Sequence, residues 1–334
     1  MEFFADPASV PPAFGPSAVT IGKFDGVHVG HRAVIEHLAA TAAAHGLVSA
    51  VVTFDRHPLA VIDPASVPPA LASIAQRREL LEHAGVDAVL LLHFDERLRV
   101  MPPEDFVREI LVRRLHAKVV LVGSDFRFGA RGAGDVALLR ALGDELHFTV
   151  QLIDDVDVRD AHAMAAERRV SSTWIRELLS EGRVADAAHL LGHEHAVRGV
   201  VVHGNERGRA MNYPTANISP TSEGFIPADG VYAARVLHRG TVYPAAVSVG
   251  NNPTFVGVRA KQIEAHLLDV DLDLYDDTIT VFFVKYVRPM VAFESMDALA
   301  AQMQRDDRAI RAVLGVPSPD ALGGVLPRSQ SPRS

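Results

Sequence analysis

The stretch SAVTIGKFDGVHVGH at residues 17–31 decides the fold. It begins as a short apolar strand, passes Gly22, Gly26 and Gly30, and leads into an amphipathic helix predicted over 31–44. Glycine lets the backbone come close to a ligand, and a helix N-terminus offers unpaired N–H groups and the positive end of the helix dipole to an anion. The sequence therefore predicts a phosphate-binding loop directly after the first strand.

The same alternation of strand and helix continues through the N-terminal half. Apolar strands are predicted at 48–54, 87–92 and 118–123, and amphipathic helices at 74–84, 103–114 and 135–143. This alternation is typical of a parallel sheet with crossover helices, in which ligands bind beyond the carboxyl ends of the strands. We expect this α/β domain to span residues 1–185.

After residue 185 the predicted strands follow one another directly, and several alternate apolar with polar side chains as half-buried antiparallel strands do. They are predicted at 197–204, 230–238, 241–250, 262–270 and 278–286. Ser295 can cap a helix that runs to Gly315. We predict a small antiparallel β-barrel domain with a C-terminal helix over 186–316, and a disordered Pro- and Ser-rich tail over 317–334.

The composition narrows the class of protein. A chain of 334 residues with 48% hydrophobic and 22% charged residues fits two globular domains and excludes wholesale disorder. The net charge of −8 argues against a non-specific nucleic-acid or membrane-surface binder, and the absence of cysteine excludes disulfides and thiolate chemistry. No apolar run approaches the roughly 18 residues of a membrane span, and no signal pattern is visible, so we expect a soluble, cytoplasmic protein.

His28 and His31 stand three residues apart where the first helix begins. Both rings can therefore face the same oxygens and stabilise charge that develops on a pyrophosphate leaving group. A zinc site of His28, His31 and His57 is the alternative, but no acidic residue stands at an obvious ligand spacing. The glycines around the pair favour phosphate.

A second candidate anion site lies near the end of the first domain. Arg169, Ser171, Ser172, Thr173 and Arg176 precede an apolar helical stretch, so hydroxyl and guanidinium groups gather at a helix N-terminus. The alternative is that Ser171 or Ser172 simply caps the helix. The two interpretations are compatible.

The barrel half has its own candidate phosphate site. A glycine-flanked basic loop over 204–209 is followed by Thr215 and Asn217, whose oxygens suit Mg²⁺. A polar hairpin that turns at Pro214 is the alternative. Glu264 shares one strand face with His266, so its carboxylate is either an ordinary solvated group or a general base.

The first-domain motifs resemble, in order and spacing, the adenylyltransferase half of bacterial bifunctional riboflavin kinase/FAD synthetases, within the nucleotidyltransferase superfamily. The matching blocks are 22–31, 53–58 and 123–129, and Arg56 stands where the family usually carries Pro. The resemblance implies an α/β nucleotidyltransferase-like fold and catalytic roles for His28, His31 and Arg169. It implies ATP contacts from Gly22, Phe24, Asp25, Gly26, Gly30, Ser172, Thr173 and Arg176, and flavin contacts from Asp125, Phe126 and Phe128. Because aromatics two apart are more often one core residue and one partner-facing residue, we expect only one phenylalanine to touch flavin.

The second half resembles the riboflavin kinase half of the same family. The matching blocks are 214–217, 229–232, 250–255, 264–269 with Tyr275, and 288–293. The resemblance implies that Glu264 takes the proton of the ribityl 5′-hydroxyl and that Thr215 and Asn217 hold Mg²⁺ with ATP. It also implies ATP contacts from Gly204, Arg207 and Arg209, and flavin contacts from Asn252 and Arg288. Glu206 and Asn212 depart from the glycines that the family usually carries there.

The resulting prediction is a bifunctional transferase that phosphorylates riboflavin to FMN and adenylylates FMN to FAD, with ATP and Mg²⁺ and with no nucleic-acid or membrane partner. One alternative is an FMN adenylyltransferase whose barrel only binds flavin, which Glu206 and Asn212 favour. Another is a non-catalytic flavin-binding regulator. The retained His28, His31 and Glu264 argue against that last alternative, because a protein without catalysis has no use for them.

Overall fold

The computed structural model describes residues 1–153, 168–203, 213–251 and 261–317. The chain forms two compact units. The first contains Met1–Ile175 and Leu190–Gly192, and the second contains Arg176–His189 and the residues from His193 onward. Of the predicted tail at 317–334, only Pro317 lies within the described residues.

The first unit is built on six strands, of which four were predicted from the sequence. They are β1 Glu2–Phe4, β2 Ser17–Ile21, β3 Val48–Phe54, β4 Ala88–Leu92, β5 Ala117–Gly123 and β6 Thr149–Ile153. They form one sheet in the order β1-β4-β3-β2-β5-β6, and every pair is parallel. The predicted parallel sheet is confirmed, and its two edge strands, β1 and β6, are additions to the prediction.

Helices connect these strands and cover both faces of the sheet. They are α1 Val29–His45, α2 Leu59–Ile62, α3 Ile74–His83, α4 Glu96–Val100, α5 Pro103–Phe106 with a π-helical continuation Val107–Arg114, and α6 Val136–Leu146; α7 Ser172–Ser180 and α8 Val184–Leu191 follow. Their ends obey capping rules: Ser73 and Gln76 form a reciprocal capping box at α3, and α1 ends at Gly46 with φ +63°.

Alternation along the strands divides the core of the first unit into two layers. Val19, Val52 and Val120 face Phe106 and Leu139 on one side of the sheet, while their neighbours face the other side. That second layer consists of Ala18, Val51, Val89 and Leu121 with Ile35, Leu38 and Leu81. Because both faces are covered, the central strands are continuous apolar runs, which explains why they could be predicted.

The second unit is a closed barrel of six antiparallel strands. They are β7 His195–Val202, β8 Ala216–Ile218, β9 Gly230–His238, β10 Thr241–Asn251, β11 Lys261–Leu267 and β12 Thr278–Arg288, in the order β10-β11-β8-β7-β12-β9. The short β8 was not predicted. β11 ends before the predicted residue 270, since Asp269 has a φ of +61° that turns the chain.

The C-terminal helix α9, Met296–Leu314, begins and ends where the sequence predicted. The Ser295 hydroxyl accepts a hydrogen bond from the Ala298 N–H, and Gly315 closes the helix with φ +69°. Buried Ile310 packs against Val231 and Leu268. The helix thus covers apolar side chains at one side of the barrel. No helix in the described ranges is long and apolar enough to span a bilayer.

Candidate active sites

The loop that follows β2 is held in a strained conformation by packing. Phe24 and Val27 have positive φ angles of 49° and 41°, and Gly26 has φ 80°. Such angles are uncommon outside glycine, and for a β-branched residue they cost about 1–3 kcal/mol. The Phe24 and Val27 side chains are nevertheless almost fully buried, so the surrounding core fixes the path of the loop.

The two predicted histidines meet at the start of α1. The Nδ1 atom of His28 accepts a hydrogen bond from the His31 N–H at 3.3 Å and caps the helix. Their rings stack with centroids 3.7 Å apart, and the Phe24 ring lies 4.9 Å from that of His31. A Cβ atom at Gly30 would approach the His28 ring to 3.3 Å. The glycine thus leaves room for the stacked pair.

Both imidazoles are neutral at pH 7. Burial lowers the pKa of His28 to about 4, and the charge of Arg169 acts in the same direction. Burial also holds the pKa of His31 well below its usual range, with further lowering by His28, Lys23 and Arg77. The Nδ1 atom of His31 is buried and has no hydrogen-bond partner in the described part of the chain. The pair therefore offers neutral hydrogen-bonding groups to a ligand at the helix N-terminus.

The predicted serines connect α7 to the loop that follows β2. Ser172 Oγ donates a hydrogen bond to the carbonyl oxygen of Asp25 at 3.0 Å. Ser171 caps the helix by accepting a hydrogen bond from the Trp174 N–H at 3.2 Å. Ser171 therefore caps α7, and Ser172 fixes the loop. Thr173 is exposed in the first turn of α7.

Two predicted ATP contacts, Asp25 and Arg176, differ from the others in what they bind or in the unit to which they belong. The Asp25 carboxylate accepts hydrogen bonds from the backbone N–H groups of Leu71 and Ala72 at 3.0 and 3.3 Å, so it fixes a neighbouring loop. Arg176 follows Thr173 on α7 but belongs to the second unit.

Arg169 lies between the histidines and the loop after β5. Its guanidinium lies 3.5 Å from the Asp125 carboxylate, in an exposed ion pair, and its charge acts on His28. Asp125 follows the carboxyl end of β5, at the end of the sheet where the loop after β2 also lies. The structure therefore brings the predicted catalytic arginine and one predicted flavin residue together at this edge.

The two predicted flavin-stacking aromatics have different surroundings. Phe128 is buried in the core and packs 6.0 Å from Phe106, and a Cβ atom at Gly134 would come within 2.8 Å of its ring. Phe126 stacks on Phe128 at 5.5 Å and is half-buried. Phe126 is therefore the one with surface left for a ligand.

The loop after β3 lines an open cleft together with Lys23 and Arg77. His57, a member of the alternative zinc set, lies 3.3 Å from Lys23 Nζ through its Nε2 atom, and its Nδ1 accepts the Leu59 N–H. Arg56, which replaces the proline usual in the family, lies 3.3 Å from the Asp55 carboxylate. Arg77 was not predicted as a site residue.

In the barrel, β8 and β11 bring the predicted base and a predicted magnesium ligand side by side. Glu264 is directly opposite Asn217 in this antiparallel pair. Opposite residues point to the same face with Cβ atoms about 5 Å apart. Burial raises the pKa of Glu264, which makes its carboxylate a better proton acceptor than an exposed one.

Thr215 and Asn217 line an open cleft with Tyr275 and Leu272. Their hydroxyl and amide oxygens are hard donors of the kind that Mg²⁺ prefers. Within the described ranges, no group of three or more His, Asp or Glu side chains could hold a metal by itself. The donor set fits an ion that shares its ligands with substrate phosphates.

Arg288, a predicted flavin contact, is held by the C-terminal helix. Its Nε and Nη2 atoms donate to the buried Asp306 carboxylate at 2.9 and 2.7 Å, and the guanidinium lies over Phe293. These contacts anchor α9 to β12. The remaining predicted contacts, Gly204, Arg207, Arg209 and Asn252, lie outside the described residues, as do Glu206 and Asn212.

Known proteins similar to this chain cover nearly all of it. It is 38% identical over 303 residues to the protein of Escherichia coli strain K12 named bifunctional riboflavin kinase/FMN adenylyltransferase, covering 90% of this chain and 94% of that protein. The chain belongs to the bifunctional riboflavin kinase/FMN adenylyltransferase family. A Listeria monocytogenes member is 33% identical, over 88% of this chain and 91% of its own length. The predicted membership is confirmed.

The two halves match separate family models within this bifunctional family. The FAD synthetase model matches residues 11–173, and the riboflavin kinase model matches residues 191–314. A crystal structure from Streptococcus pneumoniae described as a macrolide-efflux protein aligns with a TM-score of 0.82 and 30% identity. It covers 92% of this chain and 98% of its own chain, so the two folds agree along nearly their whole length.

Proposed function

We propose that the barrel unit phosphorylates riboflavin to FMN and that the parallel-sheet unit adenylylates FMN to FAD, each step consuming one ATP. We assign the adenylyl step to residues 1–185 and the kinase step to residues 186–316, and we place the enzyme in the cytoplasm, where ATP is available. The observation that carries the first assignment is the neutral, stacked His28–His31 pair at the N-terminus of α1, held against α7 through Ser172.

In the adenylyl step, a phosphate oxygen of FMN attacks the α-phosphorus of ATP. The new phosphorus–oxygen bond forms as the bond to the bridging oxygen breaks, and pyrophosphate leaves with the electron pair. First-turn N–H groups of α1 and the imidazoles of His28 and His31 donate hydrogen bonds to the leaving phosphates, while Arg169 supplies positive charge. No protein nucleophile takes part, so positioning and electrostatics supply the catalysis.

In the kinase step, Glu264 accepts the proton of the ribityl 5′-hydroxyl while that oxygen attacks the γ-phosphorus of ATP, and ADP leaves. The raised pKa of this buried carboxylate supports the role, because a proton acceptor works best when its pKa is close to the working pH. Thr215 and Asn217 would hold Mg²⁺, which supplies positive charge to the ATP phosphates when bound.

Chromatography of riboflavin, FMN and FAD over time tests both activities in the full-length chain with ATP and Mg²⁺. Glu264→Gln should stop FMN formation from riboflavin while FAD still forms from added FMN. The double substitution His28→Ala with His31→Ala should stop FAD formation from FMN while FMN still forms from riboflavin. Glu181→Gln, an exposed glutamate of the second unit, is the matched control and should keep both rates.

Each outcome separates the candidate functions. FAD from FMN but not from riboflavin in the wild type would favour an adenylyltransferase whose barrel only binds flavin. Conversion of neither substrate would favour a non-catalytic flavin-binding protein. Equal loss of both activities in the histidine variant would contradict two separate sites.

A further inference from the structure

Arg77 is a buried cation on a helix that was predicted as ordinary amphipathic structure. It lies on α3, and the residue is 8% exposed. Its Nη1 atom donates hydrogen bonds to the carbonyl oxygens of Lys23 and Phe54 at 3.0 and 2.8 Å and to Thr53 Oγ1 at 3.2 Å. Arg77 therefore joins two loops that leave neighbouring strands of the sheet.

The Arg77 contacts fix the peptide that precedes Phe24. The carbonyl oxygen of Lys23 accepts hydrogen bonds from Arg77 and, at 3.0 Å, from Thr53 Oγ1. This oxygen belongs to the peptide plane between Lys23 and Phe24, so two donors on it restrain the φ angle of Phe24, which is +49°. Since the Phe24 ring lies 4.9 Å from the His31 ring, a continuous series of contacts runs from Arg77 to His31.

The donor at position 77 serves the two loops rather than α3 itself. Burial lowers the pKa of Arg77, while the charges of Asp25 and Asp55 act in the opposite sense. Replacing a buried charge together with its partners by apolar residues is often neutral or stabilising, whereas removing the donor alone leaves buried acceptors without a hydrogen bond. An apolar side chain would serve α3 at least as well, whereas only a donor can hold the Lys23 and Phe54 carbonyl groups.

We propose that Arg77 is a positioning residue for adenylyl transfer, which sets the Lys23–Phe24 peptide and, through Phe24, the ring of His31. The proposal rests on the proposed adenylyltransferase function. In this role Arg77 acts through these neighbours and not on the reacting atoms.

The test compares both activities in one full-length chain. In Arg77→Ala, kcat/KM for converting FMN to FAD should fall about 10²-fold, because misplacing a reacting group by about 1 Å has that effect. Riboflavin phosphorylation by the same molecules should be unchanged. Arg78→Ala is the matched control: Arg78 is the next residue on α3, is exposed, and lies over the Phe3 ring. It should keep both rates.

Chemical rescue separates positioning from a loss of folded protein. Free guanidinium at low, non-denaturing concentration should enter the space left in Arg77→Ala and restore FAD formation, with no gain in the wild type or in Arg78→Ala. Arg77→Lys, which keeps a donor nitrogen on a shorter side chain, should have an intermediate kcat. The proposal would be overturned if Arg77→Ala made FAD at the wild-type rate. It would also be overturned if guanidinium did not restore FAD formation and the loss of activity matched the loss of folded protein. A wild-type chain that makes no FAD would overturn the underlying function instead.

Discussion

Acidification should destabilise the parallel-sheet unit through His28. The folded-state pKa of His28 is about 4, below its ordinary value of 6.5. Below pH 6.5 the unfolded chain therefore binds a proton that the folded chain does not, and stability falls until the pH reaches the folded pKa. Between pH 6.5 and pH 5, at about 1.4 kcal/mol per pH unit, His28 alone should remove about 2 kcal/mol from the free energy of unfolding.

Urea unfolding at pH 7 and pH 5 measures this loss, with Trp174 fluorescence as the probe, since the only tryptophan of the sequence lies in the first unit. In His28→Asn the side chain can still cap α1 but no longer titrates. The wild type should lose about 2 kcal/mol more than this variant between the two pH values. His37→Asn, an exposed histidine of the same helix, should follow the wild type. Equal losses in the wild type and in His28→Asn would refute the reasoning.

Three further predictions concern single side chains. Phe128→Ala should lower the free energy of unfolding by about 3–5 kcal/mol because it leaves a cavity in the core, whereas Phe126→Ala should cost less stability and raise the KM for FMN; urea unfolding and steady-state kinetics measure the two effects. Arg288→Met should destabilise the barrel by about 3–5 kcal/mol, since the buried Asp306 carboxylate loses its positively charged partner and keeps only the bond from the Gln302 amide; unchanged stability with a raised KM for riboflavin would show a flavin contact instead. As the pH is lowered, kcat/KM for riboflavin should fall when Glu264 becomes protonated, because the protonated carboxyl group accepts no proton. Since burial raises the pKa of Glu264, this fall should occur at a higher pH than the range in which an ordinary glutamate titrates; a fall within the ordinary range would contradict this.

The parts of the fold that could be predicted are those whose stability is visible in local sequence. The central strands are continuous apolar runs because helices cover both faces of the sheet, and α9 carries its caps at Ser295 and Gly315. β1 and β8 have three residues each, too few for a periodic pattern. They are strands because of their partners: Glu2–Phe4 pairs with Ala88–Leu90, and β8 pairs with β7 and β11. Such pairing is a property of the tertiary fold.

The candidate sites divide in the same way. The His28–His31 spacing lies within one helical turn, so the sequence could place these rings together. The bond from Ser172 to Asp25 joins residues 147 apart, and those from Arg77 to Lys23 and Phe54 join residues 54 and 23 apart. One local signal did point to Arg77: it lies four residues before buried Leu81 on α3. A charge on the apolar face of a helix indicates a partner elsewhere.

The two candidate sites depend on different kinds of structural restraint. The first depends on packing, since strained backbone, stacked rings and the bonds of Arg77 and Ser172 hold its loop. The second depends on register: Glu264 and Asn217 face each other only because the three residues of β8 pair with β11 as they do. A slip of one residue would turn Asn217 to the opposite face and separate it from Glu264. Changes that weaken barrel closure should therefore reduce phosphorylation first, whereas changes that loosen the helix caps and loops of the first unit should reduce adenylylation first.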